Sequence, residues 1–306
     1  MKSSLAQERN TVITIGTFDG VHIGHQKIIQ RLIEVGKAKY LTPTILTFFP
    51  HPRMILQKDS NIKLINTLEE KESILKHFGL ENLVVEKFTK AFSRLTAQEF
   101  VETILVKQLK AKHVIIGYDH HFGRNRSANI EDLKAFGLQY RFEVEEITAQ
   151  DINDVSVSST KIRTALLDGD IKTANSYLGY PFIISGTVEK GKGLGRTIGF
   201  PTANIAVSQN YKLIPKQGVY VVKSEIDNKT IYGMMNIGTN PTFNGIVETT
   251  EVNFFNFDAD LYNKKITIEL LDRLRDEEKF QSVSDLKQQL IKDKNNALQF
   301  INNDAK

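Results

Sequence analysis

Apolar runs alternate with helix-spaced apolar positions through about residue 180. Short runs rich in β-branched residues are TVITI (11–15), TPTILTFF (42–49), NLVVEKF (82–88), HVIIG (113–117) and YRFEVEEI (140–147). Between them, segments such as LEEKESILKHFG (68–79) and AQEFVETILVKQLK (97–110) carry apolar residues at the spacing of one helix face. Because strand and helix patterns alternate, the sequence predicts an α/β domain with a mostly parallel, Rossmann-like sheet covered on both faces.

Beyond Pro181 the pattern becomes one of short strands separated by turns. The runs are IISGTVEKG, GVYVVKSEI, TIYGMMNIG, EVNFFNF and KKITIELL. This rhythm predicts an antiparallel β-barrel. The final stretch SVSDLKQQLIKDKNNALQFI returns to helical spacing, with Ser282 or Ser284 as the N-cap. The change of pattern within YLGYPF (177–182) predicts one domain over 1–182 and a second over 183–306.

Composition narrows the class of protein. A chain of 306 residues with 41% hydrophobic residues can build two cores. The net charge of +4 is small and no long Lys/Arg block occurs, so nucleic acid is not an expected partner. The absence of cysteine excludes disulfides, thiolate metal sites and cysteine nucleophiles. A polar start and the lack of a membrane-length apolar run predict a cytoplasmic protein without a membrane segment.

The stretch GTFDGVHIGH (16–25) lies between the first predicted strand and a helix expected to end near Gly36. His22 and His25 stand where the first N–H groups of that helix lack intrahelical partners. Imidazole donors, a glycine and a helix N-terminus together favour an anion site, with phosphate as the usual occupant. A capping histidine or an ordinary surface histidine is the simpler alternative. A zinc pair is another, but it prefers i, i+4 spacing and further ligands.

A second stretch, VSSTKIRTALLDGD (157–170), has the same character. It places hydroxyls and a guanidinium at the head of a helix, contributed by Ser158, Ser159, Thr160 and Arg163. These groups suit phosphate, although such a sequence alone is typical of a helix cap. Two such stretches in one domain favour a nucleotide site.

GTFDGVHIGH and SSTKIR resemble the H-x-G-H adenylyltransferases, and the second half resembles riboflavin kinases. Over about residues 11–290 the chain is similar to the prokaryotic bifunctional riboflavin kinase/FAD synthetase family. The resemblance implies a nucleotidyltransferase fold for the first domain and two ATP-dependent reactions. The second domain would phosphorylate riboflavin to FMN, and the first would transfer AMP from ATP to FMN, releasing pyrophosphate. It also implies Mg²⁺ as cofactor and small molecules as partners.

In the first domain, the resemblance implies catalytic roles for His22 and His25. Further ATP contacts would come from Gly16, Phe18, Asp19 and Gly24, together with the SSTKIR residues. The loop GYDHHFGRNRSAN (117–129) matches the family's flavin-and-nucleotide loop through Asp119, Phe122 and Gly123, with His120 in place of the usual aromatic. Phe122 either packs on the flavin ring or belongs to the core. His51, in FFPHPR (48–53), is a further candidate for the same crevice.

In the second domain, the segment GTVEKGKGLGRTIGFPTANI (186–205) ends in PTAN, which matches the riboflavin kinase signature. By that resemblance Thr202 and Asn204 hold Mg²⁺ and ATP. The glycines expected to cover the phosphates are Gly191, Gly193 and Gly195. Glu251 matches the catalytic carboxylate, with Glu248 as the nearby competitor.

Three other positions in this domain complete the comparison with the family. Arg275, in LRDEEKF (274–280), is a candidate flavin contact. Asn253 and Asn263 stand where the family usually has His and Gly. Asn263 still tolerates a left-handed turn.

Two other functions remain open from the sequence. One is an adenylyltransferase for a different phosphate ester, such as a pantetheine phosphate, which does not need the residues after Pro181. The other is a flavin-binding sensor with a silenced site, which the departures at His120 and Asn253 favour.

Overall fold

A computed structural model of the chain describes residues 9–57, 61–80, 82–117, 120–148, 157–191, 193–242 and 245–304. The chain divides into two units. The first contains Met1–Leu64 and Leu68–Ser158, and the second contains Ile65–Thr67 and Ser159–Lys306. Among the helices in these ranges, none is both long and apolar enough to cross a membrane.

The first unit is built on a five-stranded parallel sheet with the strand order β3-β2-β1-β4-β5. Its strands are β1 (Thr11–Ile15), β2 (Thr42–Phe49), β3 (Asn82–Lys87), β4 (Ala111–Gly117) and β5 (Glu143–Ile147). Its helices are α1 (Ile23–Lys39), α2 (Pro52–Leu56), α3 (Leu68–His77), α4 (Ala97–Phe100) and α5 (Ile130–Tyr140). The predicted α/β architecture with a parallel sheet is confirmed.

The strand order positions the GTFDGVHIGH stretch. All five residues of β1 are buried, and β1 lies at the centre of the sheet. The chain runs from β1 to β2 and β3 on one side, then adds β4 and β5 on the other. Such a reversal opens a crevice beyond the carboxyl ends of the central strands, where ligands bind in open α/β sheets. Residues 16–25 therefore start at this crevice.

Two helices differ from the sequence prediction. Helix α1 continues past Gly36 to Lys39 and ends with Tyr40 in a left-handed conformation. Gly36 stays inside the helix because a Cβ there would lie 2.5 Å from Cγ of Pro43, so only glycine allows this close approach to β2. The segment predicted as one helix over 97–110 is α-helical only in α4 and continues as a π-helix over Val101–Gln108, whose wider turn buries Val101, Ile104 and Leu105.

The second unit is a closed barrel with the strand order β10-β7-β6-β11-β8-β9. Its strands are β6 (Phe182–Glu189), β7 (Ala203–Ala206), β8 (Gly218–Ile226), β9 (Lys229–Thr242), β10 (Gly245–Phe254) and β11 (Lys265–Arg275). Its helices are α6 (Ser159–Asp168), α7 (Ile171–Leu178), α8 (Leu194–Thr197) and α9 (Val283–Asp304). Burial alternates strictly along β6, as expected for a strand with one face in the barrel core. The predicted barrel and terminal helix are confirmed.

Two details of the barrel extend the prediction. The four-residue strand β7 coincides with the end of PTAN and was not among the predicted runs. Helix α9 begins at Val283, and the Ser282 hydroxyl accepts a hydrogen bond from the Asp285 N–H at 3.1 Å. Of the two predicted caps, Ser282 is therefore the N-cap.

Helices α6 and α7 pack with the barrel unit. The Asn175 side chain, on α7, donates to the Leu270 carbonyl at 2.9 Å and accepts from the Phe182 N–H at 2.8 Å. The structural division after Ser158 thus precedes the predicted domain boundary at 182/183. Whether the two activities separate at 182/183 stays a prediction.

Candidate active site

The turn after β1 brings the two histidines together. His22 is the N-cap of α1, and its Nδ1 accepts a hydrogen bond from the His25 N–H at 3.4 Å. The two imidazole rings stack with centroids 3.7 Å apart, and the Phe18 ring lies 4.7 Å from that of His25. Phe18 and Val21 have φ values of 46° and 37°. A β-branched residue with positive φ is an outlier, and such strain is concentrated at functional turns.

Burial keeps both histidines neutral. It lowers the pKa of His22 to about 4, against a smaller opposing effect of the Asp19 charge. Burial also lowers the pKa of His25 well below its usual value, and the nearby His22 and Lys71 lower it further. Because His22 Nδ1 accepts the helix-cap bond, the proton of the neutral ring is on Nε2. The pair is thus suited to donate hydrogen bonds to an anion.

One ring nitrogen of the pair is buried without a hydrogen-bond partner among the described residues. His25 Nδ1 is buried and forms no hydrogen bond with any residue that the structure describes. Buried polar atoms in native proteins are nearly always bonded, so an unmatched one requires an explanation. Next to a helix N-terminus, a bound phosphate group provides one.

The other predicted ATP residues of the first unit lie in or beside the same turn. Gly16 directly follows β1, and a Cβ there would lie 3.0 Å from the Phe18 ring. Asp19 is only 2% exposed, and Gly24 is buried in the first turn of α1. His51, predicted as a further candidate for the crevice, follows β2 and caps α2 through a 3.2 Å hydrogen bond from the Arg53 N–H to its Nδ1, and its contact with a substrate stays a prediction.

Sequence reasoning missed Lys71 of α3, which contacts this turn. Its ammonium is buried and donates to the Thr17 carbonyl at 2.6 Å. In the sequence Lys71 looks like an ordinary surface lysine of an amphipathic helix. The available signal was its spacing, since it precedes Ile74 and Leu75 by three and four residues and so shares their buried face.

The SSTKIR residues fall at the division between the units. Ser158 ends the first unit, whereas Ser159, Thr160 and Arg163 lie on the first turns of α6 in the second. Ser158 and Thr160 are exposed, and Arg163 is half-buried. Their joint action with the histidines on one ATP stays a prediction.

The flavin loop is described only in part. Asp119 lies outside the described residues. Phe122 is 7% exposed and belongs to the core of the first unit, with its ring centroid 6.0 Å from that of Phe100. This burial favours the core interpretation of Phe122, and its contact with a flavin stays a prediction.

In the barrel, three predicted kinase residues converge. Glu251 on β10 is paired directly with Asn204 on β7, so the two side chains share one face of the sheet. The Thr202 hydroxyl donates to Glu251 Oε2 at 3.1 Å. Strand pairing therefore brings the Glu251 carboxylate to a hydroxyl and an amide that lie almost 50 residues earlier in the chain.

The glycine segment lies against this group. A Cβ on Gly191 would lie 2.1 Å from Nδ2 of Asn204, so only glycine allows the backbone to pass here. Gly195 approaches the Phe200 carbonyl in the same way, with 2.2 Å to a hypothetical Cβ. Gly193 has a φ of 69°, and nothing described lies within 4 Å of the position of its missing Cβ.

The two asparagines that depart from the family pattern have structural roles. The Asn253 side chain is buried and donates to the Pro201 carbonyl at 2.7 Å, which joins β10 to the PTAN segment. Asn263 has a φ of 62°, so it adopts the left-handed conformation that asparagine tolerates. Asn253 thus supports the segment that carries Thr202.

A cavity of about 660 Å³ opens in the second unit. One wall comes from the segment 214–217 and the other from 276–279, with Glu248 also in the lining. Arg273, missed by sequence reasoning, joins these walls: its Nη2 donates to the Gln217 carbonyl at 2.6 Å and to the Asp276 carboxylate at 2.7 Å. The volume is in the usual range for a small-molecule site.

Arg275 is already engaged by the terminal helix. Its guanidinium binds both carboxylate oxygens of Asp293, at 2.8–3.1 Å, and Asp293 is 1% exposed. This bidentate pair anchors α9 to β11. The predicted contact of Arg275 with flavin is untested by this geometry and stays a prediction.

The donor set in the barrel fits a hard cation. Hydroxyl, amide and carboxylate oxygens suit Mg²⁺, which takes few protein ligands and completes its shell with water and substrate phosphates. Over the described ranges no cluster of three or more His, Cys, Asp or Glu side chains could hold a metal by itself. Thr202 and Asn204, with the Glu251 carboxylate beside them, thus fit a phosphate-bound Mg²⁺, and their binding of this cation stays a prediction.

Comparisons with known proteins agree with the division of the chain into two units. The FAD synthetase family model matches residues 4–161, and the riboflavin kinase family model matches residues 178–301. Fold and sites thus define a two-part transferase, with an adenylyltransferase-type α/β unit and a kinase-type barrel. The bifunctional riboflavin kinase/FMN adenylyltransferase of Bacillus subtilis (strain 168) is 37% identical over 303 residues, covering 97% of this chain and 94% of the relative.

A second relative and one solved structure extend the likeness. The protein of the same name from Escherichia coli (strain K12) is 37% identical over 299 residues, covering 97% of this chain and 95% of its own length. A crystal structure described as a macrolide-efflux protein from Streptococcus pneumoniae has a TM-score of 0.85 and 36% identity, covering 94% of this chain and 93% of that one. The chain belongs to the family of bifunctional riboflavin kinase/FMN adenylyltransferases.

Proposed function

We propose that the chain makes FAD from riboflavin in two consecutive ATP-dependent reactions. The barrel unit phosphorylates riboflavin to FMN, and the α/β unit transfers AMP from a second ATP to FMN. The observation that carries the proposal is the hydrogen bond from Thr202 to Glu251 opposite Asn204, since a kinase site in the barrel distinguishes this function from a lone adenylyltransferase.

In the kinase reaction, the terminal hydroxyl of the ribityl chain attacks the γ-phosphorus of ATP. The new O–P bond forms as the bond between the γ-phosphorus and the bridging oxygen breaks, and ADP leaves. Glu251 orients the hydroxyl and accepts its proton. The contact with Thr202 supports Glu251 in this role over Glu248, which lines the neighbouring cavity.

Mg²⁺ belongs to this proposal as the cofactor of the kinase site. Thr202 and Asn204 would hold it beside Glu251, and when bound it would offset the negative charge of the phosphates. Gly191 keeps the backbone close to Asn204 and so lets the glycine segment cover the nucleotide.

In adenylyl transfer, a phosphate oxygen of FMN attacks the α-phosphorus of ATP, and pyrophosphate leaves as the bond to the bridging oxygen breaks. The nucleophile is already an anion, so no general base is needed. His22 and His25 act as neutral donors that align the phosphates and stabilise the charge that develops on them. The unpaired Nδ1 of His25 supports this use of the pair.

The cavity bounded by 214–217 and 276–279 is the proposed site of the flavin ring during phosphorylation. Its lining includes most of the segment LRDEEKF, which resembles the family's flavin-side segment. The requirement for ATP supports a cytoplasmic location, and the partners are the small-molecule substrates ATP, riboflavin and FMN.

The proposal is tested by supplying riboflavin, Mg²⁺ and ATP and separating the flavins by chromatography. The parent chain should make FMN and then FAD. Glu251→Gln should make no FMN from riboflavin yet still make FAD from supplied FMN, whereas His25→Ala should accumulate FMN. A parent chain that forms FAD only from supplied FMN would indicate an adenylyltransferase with a silent kinase site. A parent chain that binds flavin and forms neither product would indicate the sensor.

A further inference from the structure

Lys71 is a buried charge beside the histidine pair. It is 4% exposed and lies on the buried face of α3. Its ammonium donates to the Thr17 carbonyl at 2.6 Å, and the Thr47 hydroxyl donates to the same oxygen at 3.2 Å. The first peptide groups after β1 are thus held by two donors from outside the turn.

A hydrogen bond to a carbonyl does not by itself require a charge, because a neutral amide or hydroxyl would serve. Burying an ammonium is costly unless an opposite charge is near. That charge is Asp19, which is 2% exposed. Burial lowers the pKa of Lys71, and the charge of Asp19 opposes this effect.

The sign of the charge matters at this place. Because both histidines are neutral, they contribute donors but no net charge to an incoming triphosphate. The Asp19 carboxylate would repel the phosphates if nothing balanced it. The influence of Lys71 on the pKa of His25 shows that its charge acts at the pair as well.

We propose that Lys71 is a positioning residue for adenylyl transfer: it holds the Thr17 carbonyl and balances Asp19, so that the β1–α1 turn binds the pyrophosphate portion of ATP. The inference rests on the proposed function and adds a residue from α3 to that site. The ammonium acts through the turn.

The test compares four forms of the full chain, using inorganic pyrophosphate as an inhibitor of FAD formation from supplied FMN. Lys71→Gln keeps a neutral donor for Thr17 and removes the charge, whereas Lys71→Arg keeps the charge. Lys76→Met is the matched control, because Lys76 lies on the same helix in an exposed pair with Glu72. Riboflavin phosphorylation by the same preparations reports on the barrel unit, and circular dichroism reports on folding.

Lys71→Gln should raise the KM for ATP in FAD formation and weaken pyrophosphate inhibition, each by roughly tenfold to a hundredfold, which is within the usual range for a group that acts on a binding site through the structure. The KM for FMN should change less than twofold. Lys71→Arg should recover most of both effects, and Lys76→Met should match the parent.

Pyrophosphate inhibition of Lys71→Gln within twofold of the parent would overturn the inference, as would equal loss in the Gln and Arg variants. If Lys71→Gln does not fold, the Arg variant provides the test. The inference then requires that Lys71→Arg bind pyrophosphate nearly as well as the parent. A parent chain that makes no FAD would instead refute the proposed function.

Discussion

The pKa of His22 leads to a sharp kinetic prediction. Replacing His22 by Asn keeps a side-chain acceptor for the His25 N–H, and Asn is a good N-cap, so the start of α1 should persist. The change removes the ring N–H that is proposed to face the phosphates. Loss of one such donor typically costs ~10²–10³ in rate, or about 2.7–4 kcal/mol of transition-state stabilisation.

The pH dependence tests the mechanism more strictly than the rate alone. With a pKa of about 4, His22 is almost wholly neutral at pH 6. A histidine with the ordinary pKa of about 6.5 would be about three-quarters protonated at that pH, leaving roughly a quarter in the neutral form. The activity that depends on neutral His22 should thus stay constant from pH 8 to pH 6. If the pKa of His22 were ordinary, that activity would fall about fourfold over the same range.

The assay is the kcat/KM for ATP in FAD formation from supplied FMN, measured between pH 6 and 8.5. This parameter reports ionisations of the free enzyme and the free substrate, and the ratio of parent to His22→Asn cancels those of the substrates. Riboflavin phosphorylation by the same samples should not change. The ratio should be constant within twofold.

Three results would refute this reasoning. A ratio that falls about fourfold by pH 6 would mean that the pKa of His22 is ordinary. A ratio that rises as the pH falls would mean that the protonated ring is the active form. Loss of riboflavin phosphorylation in His22→Asn would contradict the assignment of the histidine pair to adenylyl transfer alone.

In the barrel, Thr202→Val should slow Mg²⁺-dependent FMN formation by roughly tenfold to a hundredfold, the loss of a hydrogen bond to a charged group, with FAD formation from FMN unchanged. Equal damage to both reactions would contradict a local role. Gly191→Ala should selectively impair the kinase, because its Cβ would lie 2.1 Å from Nδ2 of Asn204; a normal KM for ATP in riboflavin phosphorylation would disprove this close approach. A fragment of 159–306 should unfold at a higher temperature than one of 183–306, because only the longer one retains α7 on β6 and β11, and equal melting temperatures by circular dichroism would argue against this packing.

Much of this protein could be predicted from the order of its residues. Alternating patterns of period two and period 3.6 reflect which side chains must be buried, so they predicted the parallel sheet, the barrel and the final helix. The glycine- and histidine-rich turn after β1 was also recognisable, because its chemistry is concentrated in ten consecutive residues. A short strand such as β7 has too few residues for a period, and so it escaped notice.

Other features depended on long-range packing. Glu251 meets Thr202 and Asn204 only because β10 pairs with β7, and no local pattern contains that pairing. Lys71 lies in a sequence typical of an exposed helix face, yet the approach of α3 to the β1–α1 turn buries its ammonium against the Thr17 carbonyl, where the charge of Asp19 acts on it. Local sequence thus determined the elements and the main phosphate motif. The tertiary structure alone decided which distant charges and donors meet there, because desolvation and pairing depend on neighbours brought in by the fold.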